Sequence, residues 1–266
     1  MSGHKAAHGG DPPAQEMKNM LMYRTIKFVD RVTDYILLLL FLLLFLIGFY
    51  TVYDTLKVYE GALGNDLKSF RPMVTDTGEI VWDMSALTED VVAWLTVDDT
   101  NIDYPVMQGE DNNEYLNKNP YGKYALSGSL FLDYQNSPDF TDPYSLIYGH
   151  HMEYGHMLGA LDKFGEETYF DAHTTGTLTV SDKIYSFKIF AYVEADATQP
   201  EIFSPKGGYD TLEYVRENAL IWREPEGERL LALSTCKFPM TTERIIVFGT
   251  LKDAPLPVAR GDSSPQ

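Results

Sequence analysis

RLLALSTCKFPMTTERIIVFGTLK, residues 229–252, is the stretch on which the fold turns. Leu231 and Leu233 alternate with Ala232 and Ser234 up to Cys236, which is the period of a strand with two different faces. KFPMTTE then breaks the pattern with a Pro and two Thr, and β-branched residues resume after Arg244. Two strands joined by a short loop are expected, with Cys236 ending the first and Arg244 opening the second. A thiol at a strand end is fixed by the sheet and reachable from a groove.

Upstream, the same texture recurs. IDYPVMQG (102–109), SGSLFLDYQN (127–136), YSLIYGH (144–150), GTLTVSD (176–182) and KIYSFKIFAYVEA (183–195) are short β-branched or aromatic runs, most of them bounded by Gly, Asp, Asn or Pro. Seven or eight such strands in about 150 residues predict a closed or nearly closed antiparallel barrel that leaves few edges exposed. Helices are expected near HMLGALDKF (156–164) and over YDTLEYVRENAL (209–220), and another is signalled by Ser85 or Thr88 ahead of EDVVAWLTV (89–97), where Glu89 and Asp90 suit a first turn.

The amino-terminal part is of another kind. From Tyr35 to Tyr53 nineteen residues carry no formal charge, a length of about 28 Å as a helix, enough to cross a hydrocarbon core. No small-residue cleavage pattern follows, so the run reads as an uncleaved anchor. Lys18, Arg24, Lys27 and Arg31 precede it while Lys57 alone follows closely, which places the amino terminus in the cytoplasm and the long remainder outside. The chain divides into a cytoplasmic tail and juxtamembrane segment (1–34), a transmembrane helix (35–53), a helical linker (54–84), a folded domain (85–252) and a flexible Pro/Gly/Ser tail (253–266). Residues 1–16 have no apolar period and are expected to be disordered.

Composition narrows the functions. The net charge is −18, and residues 35–266 hold sixteen Lys/Arg against thirty-five Asp/Glu. Such a domain repels nucleic acid, and its charge either serves solubility alone or suits cationic partners, for instance Lys- or diamino-acid-bearing cell-wall peptides. With one Cys no internal disulfide forms, so Cys236 is a buried hydrophobe, an intermolecular link or a reactive thiol. A nucleophilic thiol needs a base, and His is suited to that near neutral pH. Of six His, His4 and His8 lie in the tail and His173 in a polar turn. YGHHMEYGH (148–156) offers His150, His151 and His156, and His150 is best placed, at a strand exit after a Gly that permits close approach. No ligand spacing for zinc accompanies them. Arg244, eight residues beyond Cys236, reaches the thiol if the two strands pair antiparallel, and is otherwise a surface salt-bridge residue.

LSTC followed eight residues later by Arg, with YGHHM upstream and a preceding anchor, resembles a sortase. NIDYPVMQGEDNNEYL (101–116), GKYALSGSLFLDYQN (122–136) and the helix before the cysteine strand make the likeness one to class B, over about residues 85–250. The resemblance implies an eight-stranded sortase-type β-barrel with peripheral helices, mainly β, and a cysteine transpeptidase of Gram-positive bacteria. Such an enzyme cuts a pentapeptide sorting signal of a secreted protein after Thr and joins the Thr carbonyl to an amine of peptidoglycan precursor or of a pilin. It implies Cys236 as nucleophile, His150 as acid/base and Arg244 as oxyanion and substrate-orienting group, with Ser234 and Thr235 as substrate contacts and residues 201–229 as the part that reads the peptide. It implies no metal and no organic cofactor. Anchoring to the cell wall leads, with pilin polymerisation, a hydrolytic endopeptidase and a non-enzymatic surface domain as alternatives. His151, where related enzymes often carry Asn, and the weakly acidic KFPMTTE leave the sorting motif open.

Overall fold

The computed structural model describes residues 14–63, 66–75, 77–238 and 241–254. His4, His8, residues 1–13 of the stretch expected to be disordered and the last twelve residues lie outside these, whereas Ala14, Gln15 and Glu16 of that stretch are helical. The chain forms two units, Met1–Leu56 and Lys57–Gln266.

The first unit is made of helix α1, Ala14–Leu63, whose last turns run on into the second. The juxtamembrane residues and the apolar run form one continuous helix, with the apolar side chains exposed all round. A helix hydrophobic on every face needs an apolar solvent.

In the second unit a 3₁₀ turn, Leu67–Phe70, stops before Pro72. A small hairpin follows, β1 (Met73–Val74) with β2 (Ile80–Val81), where the sequence reading had a helical linker. The helix expected at EDVVAWLTV is also corrected: Val91–Val97 is strand β3. Ala93, Leu95 and Val97 face one hydrophobic cluster while Trp94 is buried on the opposite face, so no helical stripe exists. Asp90, read as a first-turn acid, instead accepts a hydrogen bond from Tyr115 Oη and pairs with Lys118.

The remaining strands are β4 (Asp103–Met107), β5 (Leu130–Leu132), β6 (Tyr144–Tyr148), β7 (Thr175–Val180), β8 (Lys183–Asp196), β9 (Ile221–Trp222), β10 (Arg229–Cys236) and β11 (Glu243–Asp253). Their order is β11-β10-β6-β5-β4-β3-β7-β8, and β11 also pairs with β8, which closes the expected eight-stranded barrel. Two-residue β9 hangs outside the ring on Ala191 and Tyr192 of β8. The pairs β4–β5 and β6–β10 are parallel and the other six in the ring antiparallel. Helix α2 (Glu167–Ala172) follows a 3₁₀ stretch at Gly159–Gly165, and α3 (Pro200–Phe203) and α4 (Thr211–Asn218) lie between β8 and β9.

Alternation along β10 separates two cores. Leu231 and Leu233 fill the barrel with Ile147, Ile245 and Val247. Ala232 and Leu230 face outward with Leu146, Ile246 and Phe248, against Ile202 and Val215 of α3 and α4. Helix α4 packs through buried Val215 and half-buried Leu212, while Tyr209, ahead of its first turn, is exposed.

Candidate active site

Because successive strand residues point to opposite faces, Cys236 shares the outward face with Ala232 and Ser234. Arg244 lies directly opposite Cys236 in the antiparallel β10–β11 register, and Ser234 lies beside Tyr148 in the parallel β6–β10 register. Directly opposed residues of an antiparallel pair have Cβ atoms about 5 Å apart, so the half-buried thiol and guanidinium stem are neighbours. Parallel pairing brings the carboxyl ends of β6 and β10 to the same rim, which puts His150, two residues past Tyr148, beside the end of β10.

Two hydrogen bonds sew that rim together: Gly149 N donates to Ser234 O at 3.1 Å, and Thr235 Oγ1 donates to Gly149 O at 2.9 Å. Gly149 owes its identity to close approach, since a Cβ there would stand 2.3 Å from Leu130 Cδ2 and 2.8 Å from Leu158 Cγ.

His150, Cys236 and Arg244 line one groove of about 340 Å³, together with Asn112, Leu116, Phe131, Tyr148, Gly149, Ala197, Phe203, Ser234 and Thr235. Its aromatic wall is a ladder, Phe131 on Tyr148 at 5.3 Å and Tyr148 on Phe203 at 6.4 Å. Tyr148 Oη donates to Asp133 Oδ2 at 3.0 Å, and burial together with that carboxylate pushes its pKa far up, so the phenol stays protonated.

His150 Nε2 lies 2.7 Å from the carbonyl oxygen of Leu116. A carbonyl only accepts, so Nε2 carries the hydrogen and Nδ1 is left as the nitrogen able to take a proton. Among the described residues, thiol and imidazole share no hydrogen bond, and no carboxylate or Asn side chain holds His150. Arg244 Nη1 donates to the carbonyls of Thr241 and Glu243 at 2.8 and 3.1 Å, and among the described residues the guanidinium forms no ion pair. Ser234 is 1% exposed and its hydroxyl has no partner among the described residues, whereas that of Thr235 is committed to Gly149.

The neighbouring histidines are employed elsewhere. His151 Nε2 bonds Asp162 Oδ2 at 2.6 Å, and His173 stacks on Tyr169 at 3.7 Å between centroids. The sequence reading quoted Leu116 at the end of a family segment without assigning it a place, since its contribution is a backbone oxygen that no residue pattern advertises. It quoted Asn112 within a family segment without assigning it a place, and its span 201–229 includes Phe203.

The Sortase domain family model matches residues 95–252, more than half of the chain. The chain is 32% identical to sortase B of Listeria monocytogenes serovar 1/2a over 183 residues, covering 64% of this chain and 72% of that protein. Among solved structures it is similar to a Streptococcus pyogenes class B sortase involved in pilus biogenesis (40% identity, 64% of this chain and 96% of that chain, TM-score 0.58). It is likewise similar to Clostridium perfringens sortase B (33% identity, 62% and 94%, TM-score 0.55). The apolar helix ahead of the barrel is a single-pass membrane anchor that holds the domain outside the cell. A closed eight-stranded barrel with one cysteine at the end of a strand, together with the family match over residues 95–252 and the likeness to these enzymes, makes this chain a member of the sortase family of cysteine transpeptidases, and within it of class B.

Proposed function

We propose that Cys236 cleaves a carboxyl-terminal sorting signal of secreted proteins after Thr, and that the acyl group passes from its thioester to an amine of a cell-wall peptide. The observation that carries this reading is the convergence of Cys236, His150 and Arg244 on one groove. In the first half-reaction Sγ bonds to the Thr carbonyl carbon as the C–N bond breaks, and the thiol proton passes through His150 Nδ1 to the departing amine. In the second half, an incoming amine bonds to the same carbon, loses a proton to His150, and the thiolate leaves and is reprotonated. Arg244, whose guanidinium forms no ion pair among the described residues although Asp196 lies within electrostatic reach, supplies positive charge to the tetrahedral oxyanion in both halves. Ser234 offers a buried hydroxyl to the bound peptide. Thr235, its own hydroxyl in use, lines the groove beside it.

Residues 85–252 act as the catalytic domain, 54–84 as linker, 35–53 as the span, and 1–34 and 253–266 as tails. A second reading, polymerisation of pilins, is supported by the 40% identity to the Streptococcus pyogenes enzyme involved in pilus biogenesis. The acceptor distinguishes them. The full chain in detergent micelles is incubated with NPQTN-, LPXTG- and PPXTG-like peptides plus triglycine, a diaminopimelate peptide or a pilin-derived Lys peptide, and products are read by mass spectrometry. Joining of the Thr carbonyl to triglycine or to the diaminopimelate peptide supports the first reading and joining to Lys the second. Cleavage by the Cys236→Ala protein would overturn both.

A further inference from the structure

Asp133 follows β5 and is 2% exposed. Among the described residues no cation pairs with it, an expensive state for a carboxylate unless donors surround it. Three do. Oδ1 accepts from Gln135 N at 2.9 Å, and Oδ2 accepts both from Asn112 Nδ2 at 2.8 Å and from Tyr148 Oη at 3.0 Å. Two of these donors belong to side chains that line the groove, although Asp133 itself does not.

The second contact of Asn112 fixes its amide completely, because Oδ1 accepts from Tyr134 N at 3.0 Å. A flipped amide would set oxygen against the Asp133 carboxylate and NH₂ against the Tyr134 N–H, losing both bonds. One N–H of Asn112 therefore remains, on a side chain that borders the groove. The hydrogen of Tyr148, by contrast, is spent on Asp133, so that residue meets a ligand with its ring and with an accepting oxygen.

We propose that Asp133 is a positioning residue: its buried Oδ2 holds Asn112 so that the remaining amide N–H faces the groove as a fixed donor to a carbonyl or hydroxyl oxygen of the bound sorting peptide. This rests on the groove being the peptide site. A donor held before the substrate arrives loses no rotamer freedom on binding, so its loss is felt chiefly in KM.

The test compares the full chain with its D133N, N112A and D133N/N112D variants in detergent micelles, measuring kcat and KM for the cleaved peptide alongside thermal melting, with C236A as control. In D133N an NH₂ group confronts donors, and kcat/KM is expected to fall about tenfold or more, mainly through KM. The exchange D133N/N112D restores the pairing between the two positions, since the amide now at position 133 donates to the carboxylate now at position 112, which still accepts from Tyr134 N, while Tyr148 Oη turns from donor to acceptor of the second amide N–H. It does not restore the groove N–H, so melting temperature recovers while KM stays high. A purely structural carboxylate would recover both together, and that result overturns the proposal, as does a D133N enzyme within about twofold of wild type. Should D133N fail to fold, N112A decides: a KM raised about tenfold supports the assignment and an unchanged KM overturns it. Activity in C236A would instead show that the groove reading itself is wrong.

Discussion

Thr235 Oγ1 donates to the carbonyl oxygen of Gly149 at 2.9 Å, so the residue before the cysteine is tied to the residue before the histidine. Thr235 is 2% exposed, and removing the hydroxyl strands a carbonyl at the rim. Thr235→Val is expected to lower stability by about 1 kcal/mol and to reduce kcat more than it raises KM, because it loosens the cysteine and histidine strands. Thr235→Ser keeps the bond and most of the rate. Steady-state kinetics and urea denaturation check this, and equal kinetics in Val and Ser variants would dismiss the tie.

Cys236→Ala and His150→Ala are expected to abolish transfer while the melting temperature stays near wild type. Arg244→Ala should cost about 10²-fold or more in kcat, as loss of an oxyanion donor does. Arg244→Lys should recover only part, since Lys lacks the planar fork. Product formation by mass spectrometry measures all four, and full transfer by any Ala variant removes the role given to that residue.

Gly149→Ala places a methyl against Leu130 and Leu158 in the barrel wall. Overpacking of this kind costs about 1–3 kcal/mol. The expected signature is a lower denaturation midpoint together with lost activity, and a wild-type midpoint would show that the rim gives way freely.

Acid stability has an identifiable contributor away from the groove. Burial pushes the Asp142 carboxyl upward, but Lys206 and hydrogen bonds from Ser137 and Asn136 outweigh it and hold the pKa at about 2. The folded value lies below the unfolded 3.8, so the stabilisation is present above about pH 4 and is lost as pH falls toward 2. Its size is about 2 kcal/mol. Asp142→Asn should remove that increment at neutral pH and flatten the acid limb of a stability curve between about pH 4 and 2. An unchanged acid limb would show that the Lys206 pair holds nothing.

Where a single side chain or a strand period carried the information, sequence reading succeeded. Alternation in RLLALSTC, the uncharged run at 35–53 and the eight-residue interval from Cys236 to Arg244 each map onto what the chain forms. It misread EDVVAWLTV because acidic residues ahead of an apolar run suit a helix start, whereas Asp90 answers to Tyr115 and Lys118, far along the chain. The hairpin at 73–81 is two residues deep on each side, too short for a period. Closure through β8 and β11 depends on pairing between segments some sixty residues apart. Leu116 was invisible for a different reason, since every residue has a carbonyl and only the fold decides which one meets an imidazole.

The parallel pairing of β6 with β10 reaches beyond geometry. Since parallel neighbours start at the same end of the barrel, the chain from 149 to 228 forms a long excursion that leaves β6 at the catalytic rim and enters β10 at the opposite one, taking in barrel strands β7 and β8 on the way. Helices α3 and α4 sit within that excursion, whereas the thiol and guanidinium lie outside it. Selection can therefore lengthen, shorten or rewrite the stretch between β8 and β9 that carries α3 and α4 as an exchangeable reader, and the barrel strands keep thiol and guanidinium in register on a chassis that need not be rebuilt.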